Sequence, residues 1–156
     1  MMKILFAGAV LMGSSLTSHV NACTISENLL ESVPLDYPGI PNAYRIKMVD
    51  MVLAARQWPD VDVQAQIVAS AYISEKDASS LAKSRGEQLK RFLMQLGLKS
   101  QYIYVDTHVN RTVYPVDSTG HGGYLQLGVS LLPLCKSGCD SLCNDARFVP
   151  STKLGQ

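Results

Sequence analysis

The clearest alternation in the chain covers residues 60–73. There Val61, Val63, Ala65, Ile67, Ala69 and Ala71 interleave with Asp62, Gln64, Gln66, Val68, Ser70 and Tyr72. A period of two sends successive side chains to opposite faces, so this segment predicts a half-buried strand that is polar on one side at its start. A helical segment lies on each side of it. Residues 42–57 contain no breaker, and Ile46, Val49 and Leu53 recur at helical spacing with Val52 beside them. Asn42 is the expected N-cap. Trp58-Pro59 closes that helix, because the residue before a proline avoids the α region. Residues 77–96 carry the stripe Leu81, Leu89, Phe92, Leu93 and Leu96, with Ser74-Glu75-Lys76-Asp77 ahead to cap it. Gly97 is placed to stop that helix as a C′ glycine.

Two more strands follow from the same reading. Residues 101–107 set Ile103 and Val105 against Tyr102 and Tyr104, and residues 124–132 set Leu125, Leu127, Val129 and Leu131 on one face. Residues 108–123 between them read as an irregular link. The stretch 24–41, punctuated by Pro34, Pro38, Gly39 and Pro41, reads as a lead-in with room for one short strand. The expected architecture is an α/β (α+β) two-layer sandwich in the order β-α-β-α-β-β, with both helices packed on one sheet.

Composition narrows the class. The 156 residues suit one domain, and 47% hydrophobic content is too high for a disordered chain. A net charge of +1 argues against nucleic acid or an anionic membrane as the main partner. The first residues add a location. Lys3 precedes an apolar run from Ile4 to Leu11, then small residues, with Val20 and Ala22 three and one before Cys23. This is the pattern of a secretory signal peptide over residues 1–22, cleaved after Ala22. The apolar run is far short of the ~20 residues that span a bilayer, so no transmembrane span is expected in the mature chain. The remaining segments are then a lead-in at 23–41, a domain at 42–134 and a cysteine-rich tail at 135–156. The expected location is the periplasm.

Cys23 has two open fates. Val20-Asn21-Ala22-Cys23 resembles the bacterial lipobox, which would make the chain an outer-membrane lipoprotein, although Asn21 stands where that motif has a small residue. The alternative is a disulfide. Cys135, Cys139 and Cys143 make three, and an exported chain favours an even number, so one bridge from Cys23 to the tail and one within the tail would use all four. A metal cluster with His121 fits the spacing less well, and no metal or other cofactor is expected.

One residue breaks its own pattern. Arg85 lies four after Leu81 and four before Leu89, on the apolar stripe of the second helix. A guanidinium keeps its proton, so it must snorkel, pair with a carboxylate of its own chain, or face a cleft that receives an anion. Gly86 directly after it costs on the order of 1 kcal/mol relative to alanine, and its simplest use is close approach of another backbone or a ligand.

The stretch LAKSRGEQLKRFLMQLGL, residues 81–98, resembles the helix signature of OmpA-like C-terminal domains. Leu81, Arg85, Gly86, Leu89, Phe92-Leu93 and Gly97-Leu98 stand at the family's spacing, and the flanking strands fall in its order. The resemblance covers residues 42–132, and its specific part is this helix. It implies a non-catalytic module that binds the peptide stem of peptidoglycan, with the helix arginine and a strand-end aspartate clamping the diaminopimelate group. Arg85 matches the arginine. The family's Gly-x-Thr-Asp turn is replaced by Ala71-Tyr72-Ile73-Ser74, which puts Ser74 where the carboxylate belongs, with Glu75 and Asp77 close by. The loop is shorter than in the family, and Gly122-Gly123-Tyr124 stands where paired arginines precede the last strand. Either Glu75 or Asp77 takes the aspartate's part, or the scaffold is kept and the ligand lost. The candidate ligand-binding set is therefore Arg85, Ser74, Glu75 and Asp77, with peptidoglycan or an envelope protein as partner.

Other constellations point to chemistry less well. Gly120-His121-Gly122-Gly123 lacks the frame of a phosphate loop or a nucleophile elbow and reads more simply as a turn. His108 and His121 have no partner assigned by the sequence, Asp60 and Asp62 lie on the polar side of a strand, and no enzyme is expected. Tyr102, Tyr104, Tyr114 and Tyr124 offer either sheet packing or a platform for a protein or sugar. The competing function is that of an inhibitor- or immunity-type envelope protein that keeps the fold and holds another protein.

Overall fold

The computed structural model describes residues 25–112, 126–136 and 138–148. In chain order the elements are β1 (Glu27–Glu31), α1 (Asn42–Ala55), β2 (Asp62–Tyr72), α2 (Ala78–Gln95), β3 (Ile103–Asn110), β4 (Leu127–Leu134) and the short α3 (Asp140–Cys143). A single turn of 3-10 helix at Ser100–Tyr102 leads into β3. The strands form one sheet in the order β1-β4-β2-β3. Among the described strands, β2 and β3 run parallel, joined through α2, and β4 is antiparallel to both β1 and β2. This is the expected two-layer α/β sandwich in the expected order.

The alternation in β2 holds. Ala65, Ile67, Ala69 and Ala71 are buried toward the helices, and Leu127, Val129 and Leu131 of β4 and Ile103 of β3 join them. Proline inside β4 is tolerated because β1 pairs only with Leu127 to Leu131. Pro133 lies beyond that pairing, where one side of the strand needs no donor.

The helices differ from expectation in instructive ways. The inward face of α1 is Tyr44, Met48, Met51, Val52 and Ala55, whereas Ile46 (63% exposed) and Leu53 (49%) point to solvent and Val49 is half-buried. Apolar residues stand on both sides of this helix, so hydropathy does not select a face; tyrosine and methionine have the reach to fill the space over β1 and β4. Asn42 is the first helical residue rather than the cap, which is Pro41 with no side-chain cap bond. In α2, Leu89 and Leu93 are fully buried, Leu81, Phe92 and Leu96 half-buried, and Ala82, Arg85 and Gly86 complete the inner face. Its cap position is Asp77, in the left-handed region that aspartate tolerates, without a side-chain cap bond. Its end is a Schellman motif: Gly97 has φ +91°, its N–H donates to Met94 O, and Leu98 N–H donates to Leu93 O.

The stretch read as a lead-in contributes β1 and two core residues, Val33 and Ile40. The segment read as a link enters β3 at His108, Val109 and Asn110, and its later part lies outside the described residues, as do Cys23, Tyr114, His121 and Tyr124. In the tail Cys135 and Cys139 are bridged, Cys143 is disulfide-bonded, and Leu142 is fully buried in the main core.

Candidate functional site

Four segments meet at Arg85. It projects from the inner face of α2 toward the C-terminal end of β2, where the tight turn after Tyr72 presents Glu75. The guanidinium and the carboxylate form a two-pronged pair, Nη2 to Oε1 at 2.7 Å and Nη1 to Oε2 at 3.2 Å, with both side chains 0% exposed. Nη1 also donates to Ser70 O at 2.8 Å. Nη2 and Nε donate to Tyr37 O at 2.9 and 3.3 Å. A guanidinium has five N–H donors, and these bonds account for all of them.

Glu75 is equally committed. Its Oε2 accepts Tyr72 N–H at 2.6 Å and its Oε1 accepts Asp36 N–H at 2.9 Å, in addition to the arginine. Two charges taken out of water cost several kcal/mol each unless geometry and extra hydrogen bonds offset this, and here every position around both groups is filled.

The cover over the pair is the strap of residues 33–40. Val33 and Ile40 anchor its ends in the core while residues 34–38 lie at the surface. Gln126, fully buried at the entry to β4, grips the first anchor by donating to Val33 O and accepting Val33 N–H, both at 2.8 Å. A turn closes with Tyr37 N–H to Pro34 O, and Asp36 at φ 58° turns its carboxylate to accept Lys76 N–H. Gln88 Nε2, one turn along α2 from Arg85, donates to Pro38 O. The carbonyl of Tyr37 thus takes up the two guanidinium N–H groups that Glu75 and Ser70 O leave.

Of the four candidate ligand residues, the fold brings Arg85 and Glu75 together and leaves Ser74 and Asp77 exposed, away from the guanidinium. Sequence reasoning missed Asp36, the Tyr37 carbonyl and Gln126. A main-chain acceptor leaves no mark on residue identity, and Gln126 sits inside an alternating segment where any polar residue would read as outward.

Among solved structures, the chain is similar to the OmpA-like domain of FopA1 from Francisella tularensis subsp. tularensis SCHU S4, at 16% sequence identity and a TM-score of 0.44, over 72% of this chain and 77% of that one. No protein-family model matches the chain, and no curated protein matches it.

Elsewhere the face of the sheet away from the helices carries Asn28, Leu30, Gln64, Gln66, Val68, Tyr104 and Asp106, with Gly128 letting Leu30 approach Val68. An open groove of about 550 Å³ runs over β2 and β3 between Gln66, Val68 and Tyr104. Asp62, read as half of a carboxylate pair, is bonded to Lys99 at 2.7 Å, and that hydrogen bond holds its carboxyl below the usual range. Among the described residues no group of His, Cys, Asp or Glu is arranged to hold a metal ion, and no helix is long and apolar enough to cross a membrane.

Proposed function

We propose that this chain is an exported, non-catalytic module of the cell envelope that keeps an OmpA-like scaffold, has turned its helix arginine to internal use, and engages a protein rather than the peptide stem of peptidoglycan. Residues 1–22 are removed on export, and Cys23 serves as a disulfide partner of the tail. The observation that carries the reading is the closed hydrogen-bond account of Arg85 and Glu75. A wall peptide could reach the guanidinium only by displacing Tyr37 O and exchanging two charge-assisted bonds for its own. A clamp already filled by its own chain gains little from that exchange.

Two surfaces favour a protein partner. Ile46, Val49 and Leu53 form an outward apolar stripe on α1, and Leu30, Val68 and Tyr104 (57% exposed) form a patch on the open face of the sheet. Neither stripe nor patch has a covering element among the described residues, and aromatic and aliphatic groups set among amides suit a protein surface.

The test is sedimentation of the exported protein with purified peptidoglycan sacculi, its intact mass first confirming loss of residues 1–22. The protein is expected to remain in the supernatant. Sedimentation of the wild type with the wall, abolished by free stem peptide, would overturn the reading and show that the strap yields.

A further inference from the structure

The two edges of the sheet are not alike. At the β1 edge the strand is short and carries Glu27 and Glu31, its Leu29 carbonyl already accepts the Tyr44 hydroxyl, and Lys47 of α1 reaches across to Glu31. Charge, brevity and cover of this kind protect an edge from pairing with another chain. At the other edge β3 runs for eight residues, Ile103–Asn110, with one acidic residue, Asp106, and among the described residues no side chain bonds to its outer main-chain groups.

The orientation of β3 follows from one bond. Asn110 O accepts Ile73 N–H, so the main-chain groups of Asn110, and with them those of His108, Asp106 and Tyr104, face β2. The N–H and C=O groups of Val105, Thr107 and Val109 therefore face outward, and among the described residues no hydrogen bond meets them, whereas Ile103 N–H donates to Ser100 O at the end of the preceding 3-10 turn.

We infer that this edge pairs antiparallel with the same edge of a second copy of the chain, about a two-fold axis at Thr107. In that register Thr107 faces its symmetry mate, and Val105 faces Val109 of the other copy. These are the outward-facing residues, so each pair exchanges both main-chain bonds, about six in all. The residues between them fall as close, non-hydrogen-bonded pairs on the open face of the sheet. There Asp106 lies opposite His108 of the second copy, twice by symmetry, within reach of an imidazole N–H to carboxylate hydrogen bond. Shifting the axis to Val105 sets Asp106 against Tyr104 and loses both acid–imidazole pairs.

The helix side of the junction is also prepared. A groove of about 120 Å³ beside the edge, lined by Ser79, Ala82, Lys83 and residues 107–109, lies next to Val109, where Val105 of the second copy would arrive. The result is one continuous eight-stranded sheet with an isologous interface. Nothing in the junction uses the strap, Glu75 or Arg85, so it is independent of whether the chain binds the cell wall.

The experiment is sedimentation equilibrium of the full mature chain with its disulfides intact, alongside Thr107→Pro, Asp106→Lys and the double variant Asp106→Lys/His108→Asp. The wild type is expected to sediment as a concentration-dependent dimer. Thr107→Pro removes an outward N–H that β2 does not use, so it should be monomeric with unchanged circular dichroism. Asp106→Lys should weaken dimerisation about tenfold, and the double variant should restore it, since a carboxylate and an N–H donor again meet across the axis. If Thr107→Pro fails to fold, the pair of positions 106 and 108 decides alone. A wild type that stays monomeric at hundreds of micromolar overturns the inference, as does a dimer indifferent to both substitutions or one that the double variant does not restore.

Discussion

The two long helices cover the same sheet by different means. α1 is held by bulk: Tyr44, Met48, Met51 and Val52 fill the space over β1 and β4, and Arg45 reaches across to stack on Phe92 of α2 at 5.1 Å. α2 is held by closeness. Ala82 and Gly86 let it settle onto Ala69, Val105 and Thr107, and the ion pair of Arg85 with Glu75 ties it to the strap and to the end of β2. A helix held by long flexible side chains can be repacked at modest cost. One held by contact distance and a filled set of hydrogen bonds has nothing to spare, because any change leaves either a clash or an unpaired buried group.

The largest expected effect follows from the second case. Arg85→Ala or Glu75→Ala leaves the other charge buried without its partner and should cost about 3–5 kcal/mol, a large share of the stability of a domain this size. Replacing both by apolar residues of similar volume, Arg85→Met with Glu75→Leu, should recover only part of that loss, because the desolvation of the two charges is removed together with their attraction while the buried Ser70 carbonyl loses its donor. Met48→Leu in α1, equally buried, should cost less than about 1.5 kcal/mol. Urea denaturation of the four variants with disulfides intact checks the ordering. Should Arg85→Ala prove cheaper than Met48→Leu, the ion pair is not what fixes α2.

Closeness itself is tested at Gly86. Alanine there gains about 1 kcal/mol of helix propensity. Its Cβ, however, would stand 2.8 Å from Val105 Cγ1 and 3.1 Å from Thr107 Cγ2. Both neighbours are β-branched and stiff at χ1, so they cannot swing away. Overpacking of this kind costs about 1–3 kcal/mol, and the net expectation is a loss of about 1 kcal/mol in thermal or urea unfolding. A stabilised Gly86→Ala would mean that α2 can lift from β3, and the contrast with α1 would weaken.

The same contrast explains what was legible in the sequence. β2 announces itself because one face is buried along its length, and α2 because its leucines and its terminal glycine each have a single reading. Arg85 was identifiable as anomalous, and the cost of burying it unpaired limited it to snorkelling, pairing with a carboxylate of its own chain, or facing a cleft that receives an anion. That the carboxylate is Glu75 rather than Asp77 depends on a tight turn after Tyr72, and that the pair is roofed depends on where the strap crosses. Neither is encoded by spacing. α1 misleads for a physical reason: Ile46 and Leu53 are the more hydrophobic residues, yet shape chose the other face. An exposed aliphatic stripe also reads in sequence as a buried one, unless the helix has a better candidate opposite.

The gentlest test concerns Tyr44, where α1 touches β1. Its ring is buried and its hydroxyl donates to Leu29 O at 3.2 Å. Burial, and secondarily the nearby Glu31 carboxylate, push its phenol well above the usual value of about 10. The folded state therefore retains a proton that the unfolded chain releases. The stabilisation is fully present below pH about 10 and is lost as pH rises beyond it toward the folded value. Unfolding free energy should accordingly fall with pH in that alkaline window. Tyr44→Phe should cost about 1 kcal/mol at neutral pH for the lost bond and should flatten the alkaline slope by the share this one group contributes. A Tyr44→Phe variant whose slope matches the wild type would place the alkaline loss on the exposed tyrosines and lysines instead. The hydroxyl would then be an incidental contact of a helix that is held by volume alone.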